Sequence, residues 1–342
     1  MEKIAFIVEH TYIHWNSIIT ALASSAAVCV FLALWLAKEK QIMAGLILVP
    51  LAVGLSLVLS RLMYWYFRPE NGMNLNTVIK LGMTGESMLA GAFAGCFFAA
   101  VLVRLLHLTD NLPELLDCLC LAGGIGIAVG RLEGFFDVSA RGMIMPVQLG
   151  LPWASIICNP VTGIEERRLA TFFLQAIIAA IISVIWLVFY LVKQDQLREG
   201  DVCLLFLQSY GAAQVILDST RYDSLYFHSN GFVSVVQVLS ALAVVLAVIV
   251  FAIRMVYAGG WRIWYFALWI LQLAGFCLAG YMEYHVQRHG NEAVFAYSVM
   301  GAALLMIVVL TLISRSQAIH MEESRRQAMF GVQESEGTEQ NA

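Results

Sequence analysis

Apolar runs of about 20 residues recur along almost the whole chain, and nothing else in the sequence limits its fold so tightly. A helical run of that length matches the thickness of a bilayer's hydrocarbon core. In lipid every backbone polar group must be satisfied within its own segment, so a succession of such runs folds as membrane helices. Composition agrees, with 60% of the 342 residues hydrophobic and 13% charged. The expected class is all-α: a polytopic helical membrane protein and not a soluble domain. The net charge of −4 is too small to point to nucleic acid.

Nine spans are predicted, at about residues 16–37, 41–67, 86–106, 112–130, 169–192, 202–217, 231–251, 261–280 and 293–313. The residues up to Trp15 read as an interfacial segment, because Glu9 and His10 break the apolar patch that a cleavable signal needs. Residues 72–85 form a polar loop. Residues 143–168, with Pro146, Pro152 and Pro160, are too broken to span and read as an extramembrane arm or a re-entrant piece. The tail from Ser314 is charged and polar, and its last dozen residues read as disordered. Small residues recur every fourth position in span 3 (Gly91, Gly95, Ala99) and in span 4 (Ala122, Gly126, Gly130, Gly134). Such ridges allow close backbone approach, and the two are expected to pack together. Six of the seven cysteines fall in spans and read as small apolar residues, with neither a disulfide framework nor a metal site.

The charges carry the functional signal. Residues 124–143 begin as a glycine-rich span and end with Arg131, Glu133, Asp137 and Arg141 close together. Arg61, Arg131 and Arg221 sit at corresponding depths of spans 2, 4 and 6, and with the N-terminus outside all three are near the outer face. Glu86, Glu133, Asp137 and Asp218 lie near the same level. Tyr210, Gln214, Asp218 and Arg221 follow at i, i+4, i+8 and i+11, one polar face of an apolar helix. A guanidinium makes a forked contact with phosphate oxygens, so the cluster suits an anionic lipid headgroup whose acyl chains stay in the bilayer. The competing reading is a set of interfacial ion pairs that fix helix ends. With the N-terminus outside, ten of the twenty basic residues fall in inner loops and the other ten outside or within the membrane, so charge alone does not orient the chain. Setting Arg61, Arg131 and Arg221 aside as site residues favours the N-terminus outside. No histidine pair has ligand spacing on a span, and no GxSxG or Walker sequence occurs, so neither metal nor cofactor is expected.

Residues 130–135, Gly-Arg-Leu-Glu-Gly-Phe, resemble the Gly-Arg-Ile-Gly-Asn-Phe signature of the prolipoprotein diacylglyceryl transferases. Arg61-Leu-Met-Tyr64 is similar to that family's Arg-Leu-Gly-Tyr. Gly91 to Gly95 sits where it has His-Gly-Gly-Leu-Leu-Gly, and Asp117 resembles its aspartate at the start of span 4. Tyr210-Gly211, Asp218, Arg221 and Asp223 resemble its Tyr-Gly-x-x-Arg-x-x-x-Glu-x-x-Arg-x-x-Asp. The likeness covers about residues 14–255. It departs from the pattern at Asn16 (tyrosine in the family), Ala90 (histidine), Gly134 (asparagine), Ser139 (glutamate) and Gln214 (arginine), whereas Gly142 keeps a glycine. The start of span 5 does not show the family's His-Pro-Ser-Gln-Leu-Tyr-Glu.

The resemblance implies a seven-span transferase-like core at residues 1–255, an extra two-span hairpin at 256–313, and a polar tail at 314–342. It implies a bacterial inner-membrane enzyme that moves the diacylglyceryl group of phosphatidylglycerol to the lipobox cysteine thiol of a prelipoprotein. Arg131, Asp218 and Glu133 would be catalytic, and Arg61, Arg131 and Arg221 would hold the lipid phosphate. Asp117, Tyr210, Asp137 and Gly142 would support them. Two alternatives stand beside it: a non-catalytic homologue that binds an anionic lipid or a lipoprotein, and an unrelated polytopic transporter.

Overall fold

The computed structural model describes residues 4–8, 11–38, 42–67, 89–136, 141–144, 153–158, 163–193, 196–222, 224–226, 233–289 and 292–339. Two short antiparallel hairpins accompany the helices. Strands β1 (Ile4–Val8) and β2 (Thr11–His14) pair from Ile4↔His14 to Val8↔Thr11. Strands β3 (Ala154–Cys158) and β4 (Glu165–Leu169) pair from Ala154↔Leu169 to Cys158↔Glu165. The helices are α1 (Trp15–Ala37), α2 (Ile42–Phe67), α3 (Leu89–Leu105), α4 (Leu112–Gly130), α5 (Thr171–Val192), α6 (Asp201–Ser219), α7 (Val235–Gly259), α8 (Ile263–His289) and α9 (Ala293–Glu339). Eight are long and apolar enough to cross a membrane, and α3 is a shorter apolar helix of 17 residues. The chain is therefore a multi-pass membrane protein of the all-α class, with the two hairpins as its described strands.

Each predicted span falls on one of these helices, but α7 and α8 run eight and nine residues past the predicted ends of their spans, and three segments outside the spans differ as well. The interfacial N-terminal segment and the arm at 143–168 both contain β-hairpins. Their alternating residues (Ile4, Phe6; Ile156, Cys158) are too few to reveal a strand without its partner. The tail after Ser314 does not begin a separate segment, because α9 continues through it to Glu339. Arginine, glutamine, alanine and glutamate dominate there and favour helix without any apolar stripe, so hydropathy alone ended the span too early.

The small-residue ridges are real contact faces, but they do not face each other. A Cβ at Gly91 would strike the backbone of Leu59 and Ser60 on α2, and one at Gly95 would strike Ser56. Gly126 and Gly130 instead lie over Ala27 and Ala23 of α1, at 3.1 and 3.6 Å for a notional Cβ. So α3 packs chiefly on α2, and α4 packs chiefly on α1, α5 and α6. Serines and alanines on α1 and α2 supply faces as small as the glycine ridges themselves. The Ser56 hydroxyl even donates to the Ala92 carbonyl at 3.0 Å.

The chain divides into two compact units, Met1–Ser240 and Ala241–Ala342, and the boundary falls inside α7. The second unit holds the rest of α7 with α8 and α9. Met255, Ala258, Tyr265, Ala318 and Met321 form a buried cluster there, and Gln272 donates to Thr311 at 3.1 Å between α8 and α9.

Candidate functional site

One end of the first unit gathers the start of α1, the ends of α4 and α6, and the start of α5. At the end of α4 a single 3-10 turn, Arg131–Phe135, bends the chain back over the bundle. Phe136 just beyond it stacks on Trp15 at 4.8 Å. Phe135 meets Phe172 and Phe173 of α5 edge-on at 4.9 and 5.6 Å. Aromatic rings so arranged cover the turn and hold Arg131 and Glu133 at fixed height.

Three separate stretches are sewn together by backbone hydrogen bonds above this turn. Gly142 N–H donates to the Leu169 carbonyl at 2.8 Å, Met143 N–H to Thr220 at 3.0 Å, and Tyr222 N–H to Arg141 at 2.9 Å. Gly142 and Arg221 face each other as an isolated bridge. The pinch requires glycine: a Cβ at 142 would come within 2.5 Å of Thr171 Oγ1 and 3.0 Å of the Thr220 carbonyl. The result sets the backbones of Arg141 and Arg221 side by side.

The polar face expected on α6 is present for Tyr210, Gln214 and Asp218 and faces inward, whereas Arg221 falls beyond the helix, which ends at Ser219. Tyr210, Gln214 and Asp218 are all buried. The Tyr210 ring stacks on Phe206 and leans on Phe93 of α3. Its hydroxyl is buried and faces the Arg131 guanidinium, with Asp218 and Arg221 as its other charged neighbours. Tyr210 is thus held against Arg131, with Arg221 a second positive charge in the same field.

Asp218 is anchored from several sides. Its Oδ2 accepts from the Ser234 hydroxyl and, at 3.2 Å, from Ser224. Its Oδ1 lies 3.6 Å from Arg221 Nη1. Ser234 is itself the N-cap of α7: its Oγ accepts from Gln237 N–H at 3.0 Å, and Gln237 Oε1 accepts from Ser234 N–H at 2.8 Å. This is a reciprocal capping box, spelled Ser-x-x-Gln in the sequence. Gln237 Nε2 also donates to the Val215 carbonyl at 3.1 Å. The start of α7 is thereby fastened to the end of α6 through the carboxylate that also orients Arg221.

Other expected site residues fall elsewhere. Arg61 lies on α2 next to Ser60, whose backbone abuts Gly91, so it shares this end of the bundle on the α2–α3 pair. Asp117 lies near the opposite end. It accepts from Gly200 N–H at 2.7 Å and from Cys203 N–H at 2.6 Å, which caps the first turn of α6 from a neighbouring helix. Gly200 needs its φ of 83° to turn into that helix. Glu86, Asp137, Ser139 and Asp223 lie outside the described residues.

Two positions where the sequence departs from the resemblance have a physical explanation. A Cβ at Gly134 would collide with the Phe172 ring, so the volume of a larger side chain there is already occupied. Arg141 also sits over that ring at 5.7 Å and donates to the Gly134 carbonyl at 3.4 Å. Gln214, where the resemblance has arginine, accepts at 3.1 Å from Gln175 of α5. Sequence reading missed Gln175 and Ser234. Both left a signal: Gln175 is the one amide in an otherwise apolar α5, and Ser234 opens a capping box.

The profile of the family described as Prolipoprotein diacylglyceryl transferase matches residues 3–253. Several curated proteins called phosphatidylglycerol–prolipoprotein diacylglyceryl transferase are similar. That of Lactococcus lactis subsp. cremoris is 28% identical over 260 residues, covering 74% of this chain and 95% of the relative. That of Clostridium botulinum is 27% identical over 255 residues, covering 72% and 95%. That of Finegoldia magna is 26% identical over 257 residues, covering 74% and 96%. With a family match that spans the first unit and every residue of the arginine cluster, the chain belongs to the prolipoprotein diacylglyceryl transferase family.

Proposed function

We propose that this protein transfers the diacylglyceryl group of phosphatidylglycerol to the lipobox cysteine of a prelipoprotein, at the outer face of a bacterial inner membrane. The observation that supports the reading is the placing of Arg131 at the buried Tyr210 hydroxyl of α6 while Asp218, two turns along the same helix, holds Arg221 at 3.6 Å. Two guanidinium groups at the end of a helix bundle can hold a phosphodiester while its acyl chains stay in lipid.

The chemistry follows from that placement. The cysteine thiolate attacks the glycerol carbon that bears the phosphate ester, the C–O bond breaks, and a thioether forms. Glycerol phosphate leaves with the electron pair, and its added charge falls on Arg131 and Arg221. The proton released from the thiol passes to water. A free thiol has a pKa of about 8.5, so nearby guanidinium charge favours the thiolate. Asp218 acts by orienting Arg221. Glu133 sits two residues after Arg131 on the same turn and shapes the field around it.

The test is transfer of label from radiolabelled phosphatidylglycerol to a lipobox peptide by the purified protein. Arg131→Ala is expected to lower the rate by about 100-fold or more, the usual cost of losing a charge-stabilising donor. Lipid binding without transfer by the wild type would instead assign a binding role, and neither binding nor transfer would sink both lipid readings.

A further inference from the structure

Gln175 and Gln214 lie about one helical turn in from the end of the bundle that carries Arg131, Asp218 and Arg221. Both are fully buried, at 0% and 2% exposure. A single hydrogen bond joins them, Gln175 Nε2 donating to Gln214 Oε1 at 3.1 Å. Each amide has four hydrogen-bonding positions, and the rest of this pair's capacity goes unused. Among the described residues Gln175 Oε1 and Gln214 Nε2 have no partner. Exchanging oxygen and nitrogen in both amides leaves the same count, one free acceptor and one free donor. Buried polar atoms inside a membrane bundle are costly to leave unpaired, because no solvent is at hand to satisfy them.

A free acceptor beside a free donor, both on neutral amides, is the complement of a hydroxyl group. Asp218 one turn above Gln214 and Arg131 facing Tyr210 bracket the pair, so a phosphate held by the arginines would put its polar substituent within reach. We infer that the Gln175–Gln214 amide pair is a specificity subsite that reads the hydroxyl groups of the donor lipid's headgroup. This rests on the reading that the arginine cluster holds a phospholipid donor. It adds that selection among anionic lipids lies in two neutral side chains on α5 and α6 and not in the arginines. Gln175 and Gln214 set specificity by contacting the headgroup, and neither touches the bond that breaks.

The experiment uses the full chain in nanodiscs and compares phosphatidylglycerol with phosphatidylpropanol, which has the same phosphate charge and acyl chains but lacks both headgroup hydroxyls. Binding is read by displacement of a fluorescent phosphatidylglycerol, which needs no turnover, and transfer is read as KM and kcat. The wild type is expected to prefer phosphatidylglycerol by about tenfold or more, the effect of one good hydrogen bond. The Gln175→Leu/Gln214→Leu double variant is expected to bind both lipids alike, with the change in KM and little in kcat. Equal binding of the two lipids by the wild type overturns the inference without recourse to any variant. So does a folded double variant that keeps the preference. A wild type that discriminates but does not transfer supports the subsite and removes only the transferase reading.

Discussion

Gly134 shows how much one residue can depend on a neighbour far away in sequence. Its missing side chain is matched by the Phe172 ring, which fills the space a Cβ would need. Gly134→Asn is therefore expected to destabilise the protein by about 1–3 kcal/mol through overpacking. Phe172→Ala alone leaves a cavity, at about 3–5 kcal/mol. The double variant should recover part of the summed loss, with a coupling of about 0.5–3 kcal/mol in a cycle measured by thermal unfolding in detergent. Strict additivity would show that the two side chains do not share one volume. The sequence exposes Gly134 as a departure from the family pattern, but only the fold identifies what stands in its place.

Among the elements, α6 is held at both ends by carboxylates of opposite assignment. Asp218 near its C-terminus belongs to the arginine cluster, whereas Asp117 of α4 accepts two N–H groups at its N-terminus. Asp117→Ala strands these buried donors, and the expected cost is about 1–3 kcal/mol. Asp117→Asn keeps an acceptor and should cost less. Amide exchange at Gly200 and Cys203 should accelerate in the alanine variant while exchange at Arg221 and Tyr222 does not. Faster exchange at both ends would mean that α6 frays as a whole and that Asp117 does more than cap. The pairing of α3 with α2 is of the same kind. The Gly95 and Ser56 backbones meet directly, so Gly95→Leu should separate these helices and cost about 2 kcal/mol or more by the same overpacking logic.

For the whole molecule the orientation of the spans decides which face meets the prelipoprotein. With the N-terminus outside, the arm that bears β3 and β4 lies outside as well, and its Cys158 is an exposed thiol. A membrane-impermeant maleimide added to intact cells is expected to label Cys158, and Cys158→Ser is expected to remove that label. The other exposed cysteines, Cys29 and Cys277, lie on apolar helices in lipid, beyond the reagent's reach. Labelling of Cys158 only after the membrane is opened would reverse the orientation and move the arginine cluster to the inner face.

Local chemistry determined the part of this protein that depends on lipid as solvent. A run of apolar residues in a bilayer has no choice but helix, so the spans, their limits near Lys38 and Lys193, and the inward polar face of Tyr210, Gln214 and Asp218 could be read before any packing was known. The arginines stood out for the same reason, because a charge in that setting is too costly to be incidental. Which glycine ridge meets which helix was left to the tertiary structure. Every helix looks alike to the lipid, and only the fit between faces distant in sequence separates one pairing from another. The same holds for Gln175 beside Gln214, Ser234 on Asp218, and Asp117 at the far end of α6. Each is a hydrogen bond between helices, and no periodicity within one helix specifies its partner on the next.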